Sequence, residues 1–89
     1  MDRARRKFLV ELAEENLFDT KVCQRGPYTH VEVRIRWRNE LHDYREYNVE
    51  GHGFSKCRPG DPWSGQEGIN KARPRAILDA VQQMNLVEV

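Results

Sequence analysis

The chain is short of the features that would mark an enzyme, a secreted scaffold or a membrane protein. It has only two cysteines, Cys23 and Cys57, too few for the disulfide framework of small secreted domains, so both are expected as free thiols. No apolar run approaches the length of a membrane span, and no apolar core follows the charges near residue 1 as it would in a secretory signal. The expectation is a cytoplasmic protein (host cytoplasm if viral) with no membrane partner. No serine, histidine and carboxylate grouping stands at motif spacing, and neither a phosphate loop nor a dinucleotide fingerprint is present. His30, His42 and His52 are scattered, each read as a surface or hydrogen-bonded residue. His52 and Cys57 are near neighbours in sequence, and Cys23 is a third donor. A structural zinc site nevertheless wants four ligands in close pairs, which are lacking. No catalytic residue, metal or cofactor is expected: the chain reads as a binding protein, not an enzyme.

What is present is charge, unevenly placed. Eighty-nine residues make a single domain spanning 1–89, and the formal net charge is only +1. Arginine greatly outnumbers lysine, and the basic residues fall into three groups: Arg3–Arg5–Arg6–Lys7, Arg34–Arg36–Arg38 and Lys71–Arg73–Arg75. Guanidinium is planar, permanently charged and forks onto carboxylate or phosphate, so the bias favours specific anion contacts. The competing interpretation is that neighbouring Glu and Asp neutralise most of these charges.

Hydrophobic spacing predicts an α+β domain in the order α-β-β-β-α, a three-stranded antiparallel sheet with both helices on one face. Arg3 to Leu17 reads as a helix, with Leu9, Leu12, Ala13 and Leu17 in one stripe. Phe18 to Gln24 is a short first strand, closed by the turn Arg25-Gly26-Pro27. From Tyr28 to Arg38, Val31, Val33, Ile35 and Trp37 alternate with Glu32, Arg34, Arg36 and Arg38, the period of a half-buried strand. A third strand is expected over Tyr44 to Phe54. Pairing Ile35 with Tyr47 and Val33 with Val49 keeps one face apolar, and sets Arg36 opposite Glu46 and Arg34 opposite Asn48 on the other. Ser64 and Glu67 have capping-box spacing ahead of a stripe from Ile69 to Met84. Pro74 either kinks that helix or begins its regular part, and Asn85 can end it.

Two surfaces stand out as candidate sites. The first is the arginine-bearing sheet face, Arg34, Arg36 and Arg38, with Tyr44 and His52 as rings among the cations. The second is the Gly/Pro-rich connection and early last helix, where Lys56, Arg58, Lys71 and Arg75 gather near a positive helix end. Trp63, in that connection, either caps the core or stands as a contact anchor.

The run Gly51-His52-Gly53-Phe54-Ser55-Lys56 resembles the G-x-G-x-S-K signature of the double-stranded-RNA-binding domain. Lys71-Ala72 to Ala76 resembles the K-x-A-A start of that family's final helix. The resemblance implies phosphate-gripping roles for Lys56, Lys71 and Arg75, and a first helix facing a minor groove. The chain departs from the pattern in four ways: Cys57 in place of a second lysine, an insertion from Cys57 to Gly68, Pro74 within the helix, and an acidic first helix. The region from Gly51 to Ala76 is also similar to small uncharacterised proteins of bacteriophage and actinobacterial genomes. The leading expectation is a nucleic-acid-binding module for duplex or structured RNA or DNA. Its rival is a phage-type protein that inhibits or adapts a host protein. A homodimer through an exposed strand edge is a third possibility.

Overall fold

A computed structural model describes residues 1–39, 45–60, 62 and 64–87 of the chain. The order is α1 (Arg3–Glu15), β1 (Leu17–Arg25), β2 (Tyr28–Asn39), β3 (Arg45–Lys56) and α2 (Gly65–Val87). The strands form one antiparallel sheet, β1-β2-β3. This is the α+β architecture anticipated from the spacing. Among the described residues no helix is long and apolar enough to cross a membrane.

The alternation in β2 organises the molecule. Val31, Val33 and Ile35 are completely buried and Trp37 nearly so, whereas the intervening Arg36 and Arg38 are exposed. The buried set meets Leu9 and Ala13 of α1 and Ala72, Ala76, Ile77, Ala80, Val81 and Met84 of α2 in a single core. Full burial of each Val, Leu or Ile is worth about 1.5–3 kcal/mol. Leu12 and Val49, expected within the core, are only partly buried at its margin. Among the described residues no helix covers the outer face of the sheet, and that is the face on which the arginines stand.

The β2–β3 register differs from the expected one by two residues. Trp37 pairs with Tyr47, Ile35 with Val49, Arg36 with Asn48 and Arg34 with Glu50. A slip of two preserves which side chains face inward. Helix packing selects the observed alignment, because it puts Gly53 opposite Val31 and Gly51 opposite Val33. A Cβ on Gly53 would overlap the Ala72 carbonyl and the Ala76 nitrogen, and one on Gly51 would overlap the Ala76 carbonyl and Ala80. Paired glycines on β3 and alanines at four-residue intervals on α2 thus bring the helix backbone directly onto the strand.

Both helices correct their expected limits. α1 stops at Glu15 and Leu17 already belongs to β1, since Asn16 caps the helix with N–H bonds to the Leu12 and Ala13 carbonyls. α2 neither starts nor ends at Pro74, which lies inside it, and it runs past Asn85 to Val87. Proline removes the donor for the carbonyl four residues back. That residue is Asn70, which is exposed, so water can take the donor's place and the helix continues. The capping at its start is as anticipated: Ser64 Oγ accepts from Glu67 N at 3.3 Å. The acidic end of α1 also finds a partner, with Glu14 3.9 Å from Arg73 of α2.

A candidate anion-binding corner and the outer sheet face

At the turn end of the sheet, the first turns of α2 are fastened to the strands by polar side chains. Ser55 Oγ donates to the Gly68 carbonyl at 2.8 Å, and Gln24 Nε2 donates to the Gly65 carbonyl at 2.9 Å. Gln24 also reaches the buried Thr29 hydroxyl at 3.2 Å. These bonds set the mouth of a cavity of about 510 Å³ whose lining includes Lys56, Arg58, Lys71 and Arg75. Four of the sequence-derived site residues therefore share one concavity, although 19 positions separate the first from the last. Glu67 is the one carboxylate among the described lining residues, and it pairs with Lys71 at 3.0 Å. Lys56 lies over the Tyr28 ring, 5.3 Å from its centroid. Arg75 donates to the Phe54 carbonyl at 2.6 Å. The cations outnumber the acid, and α2 points its positive end towards the same place.

The arginine-bearing sheet face is arranged differently. Arg34 lies 3.2 Å from Glu50 and 3.9 Å from Glu32, Arg36 lies 3.0 Å from Glu46, and Arg38 lies 4.0 Å from Glu46. Arg36 also donates to Asn48 Oδ1 at 2.9 Å, and its guanidinium sits 4.7 Å above the Phe18 ring. Phe18 reaches this face because a bulge between Leu17 and Asp19 shifts the β1–β2 register there. Every arginine expected to project freely thus has a carboxylate beside it. Tyr44, Asp43, His42 and Trp63 lie outside the described residues.

Glu32, Glu50 and His52 bring donor atoms within 4.8 Å of one another. Arg34 already bridges the two carboxylates, which makes the group an ion-pair network. The His52 imidazole, 3.3 Å away, holds the Glu50 carboxyl below the usual carboxylate range, with the Glu32 contact and the Arg34 charge acting in the same direction.

Sequence reasoning placed His52 on the arginine face but missed the row of rings that it joins. His30 stacks on Phe54 with centroids 4.5 Å apart and on His52 at 5.1 Å, and its Nε2 is 2.9 Å from His52 Nδ1. Phe54 and Tyr28 are 61% and 56% exposed. Strand parity alone places Tyr28, His30, His52 and Phe54 on one face, so the signal was available.

No family model matches the chain, and no curated protein or solved structure is significantly similar to it. The element order is compatible with the double-stranded-RNA-binding domain.

Proposed function

We propose that this domain is a non-catalytic nucleic-acid-binding module that grips the phosphate backbone of structured RNA or DNA at the loop–helix corner. The observation that carries the reading is the convergence of Lys56, Arg58, Lys71 and Arg75 on one cavity with a single described carboxylate. Phosphate is the ligand such a site suits, because several cations can divide its charge and the helix start adds to the field. The exposed Tyr28 ring lies under Lys56, where an unpaired base beside a gripped backbone can stack. The element order is compatible with the resemblance to the double-stranded-RNA-binding domain, which implies phosphate-gripping roles for Lys56, Lys71 and Arg75. The outer-face arginines each have a carboxylate of the sheet beside them, so less of their charge is left for a phosphate.

The test is a fluorescence-anisotropy titration of a labelled RNA hairpin, a DNA duplex and a single strand across a salt series. At least one should bind with an affinity that falls steeply as salt rises, by roughly 0.7–0.9 logarithmic units per phosphate neutralised. Absence of binding to all three, with capture of a host protein whose affinity depends little on salt, would favour the rival protein-binding role.

A further inference from the structure

The two edges of the sheet are finished differently. On β3, three α2 side chains spaced four residues apart bond to three strand residues spaced two apart. Arg75 donates to the Phe54 carbonyl, Asp79 accepts from the His52 N–H at 2.8 Å, and Gln83 donates to the Glu50 carbonyl at 2.6 Å. Four helical residues rise about 6 Å and two strand residues about 6.8 Å, so the spacings stay in step. The helix therefore seals β3 against an added strand.

The same bonds show how the β1 edge is oriented. Even-numbered β3 residues turn their backbone groups away from β2, so odd-numbered β2 residues bond to β3 and even-numbered ones to β1. Through the β1–β2 register, Asp19, Lys21, Cys23 and Arg25 bond inward. Thr20, Val22 and Gln24 then present their N–H and C=O groups to the open edge. No described helix side chain is seen bonding to those groups, and Val22 is 45% exposed on the helix side of the sheet. A bare, regular edge is a template for strand addition.

We propose that this edge pairs with the β1 edge of a second copy, antiparallel about a two-fold axis at Val22, to continue the sheet across the dimer. The regular stretch is bounded by the bulge before Asp19 and the turn after Arg25, and its midpoint is Val22. Full overlap therefore sets Val22 against Val22, Thr20 against Gln24, and Asp19 against Arg25 at both ends. Each of the first two pairings joins outward-facing backbone groups, and the third brings opposite charges together. Neither Asp19 nor Arg25 has an ion pair among the described residues. Lys21 meets Cys23 in this alignment, whereas a shift of one residue towards Thr20 on each strand would oppose Lys21 to itself. The charges thus select the alignment that the bulge and the turn delimit. One strand pair is a small interface, so the dimer should be weak, with Kd on the order of 10–100 µM.

Sedimentation equilibrium in reducing buffer, up to ~0.5 mM protein, tests this. The parent should shift from monomer towards dimer. Val22→Pro removes an outward N–H while leaving every β1–β2 bond in place, and should be monomeric with an unchanged circular dichroism spectrum. Asp19→Arg should weaken association at least tenfold, and Asp19→Arg with Arg25→Asp should restore it. The exchange keeps the proposal testable even if proline perturbs the strand. A parent that stays monomeric throughout, or a dimer indifferent to Val22→Pro and to the charge exchange, would overturn the proposal. A monomer that instead binds a foreign extended peptide along β1 would overturn it equally.

Discussion

The outer sheet face and the loop–helix corner look alike in the sequence, each a cluster of cations at regular spacing, yet their surroundings differ. On the sheet, β3 supplies Glu46 and Glu50 at the alternation that carries the arginines of β2, so pairing the strands also pairs the charges. At the corner the cations come from β3, the connection and α2, and Glu67 is the one acid among the described lining residues. Basic residues within one regular ladder tend to acquire partners from the neighbouring strand. Those gathered from separate elements are not supplied with partners in that way. Under the proposed function, the distinction is between charge used in folding and charge left over for binding.

The strongest way to break the comparison is to displace α2 and leave the sheet alone. Gly53→Ala puts a methyl group where α2 backbone lies, and should cost about 3 kcal/mol or more, read by chemical denaturation. Binding at the corner should be lost with it. A tolerated alanine would mean that the helix is not held at the distance described.

A smaller effect is expected on the sheet. Because Arg34, Arg36 and Arg38 form exposed pairs, replacing each singly by alanine should change stability by no more than about 1 kcal/mol. Larger losses would indicate that the ion-pair ladder specifies strand register.

The smallest effect is acidic. Folding lowers the Glu50 pKa, so its contribution is fully present above the unfolded value near 4.3 and disappears as pH falls through the lower folded one. The stability difference between parent and Glu50→Gln should therefore be greatest near neutrality and disappear as pH falls through the lowered folded-state pKa. A difference that grows on acidification would contradict the pairing with His52 and Arg34.

Much of the fold was legible in the amino acids because side-chain period reports burial directly. Val31, Val33, Ile35 and Trp37 defined β2 and its inner face, and the stripe from Ala72 to Met84 defined α2. The strand register was not legible, for a physical reason. Glu46, Asn48 and Glu50 repeat at the same interval as Arg34, Arg36 and Arg38, so sliding by two residues keeps both hydrophobic and charge matching. The choice depends on where α2 needs Gly51 and Gly53, which no pairwise strand rule contains. Pro74 left two readings open for a related reason: its cost falls on the Asn70 carbonyl, and solvent exposure of that residue is a tertiary fact. The corner residues were found from their charge, and pairing of the sheet-face arginines with neighbouring acids was already the competing interpretation, with Arg36 beside Glu46 in either register.

The central claim is that corner charge, and not sheet charge, is available to a ligand. It is tested most directly by measuring affinity for the best-bound nucleic acid against salt for two folded variants. One carries Lys56→Ser, Arg58→Ser and Lys71→Ser, and the other Arg34→Ala, Arg36→Ala and Arg38→Ala. The corner variant should flatten the logarithmic salt slope by about two to three units and the sheet variant by less than about one. Equal flattening, or a larger effect from the sheet variant, would contradict the account.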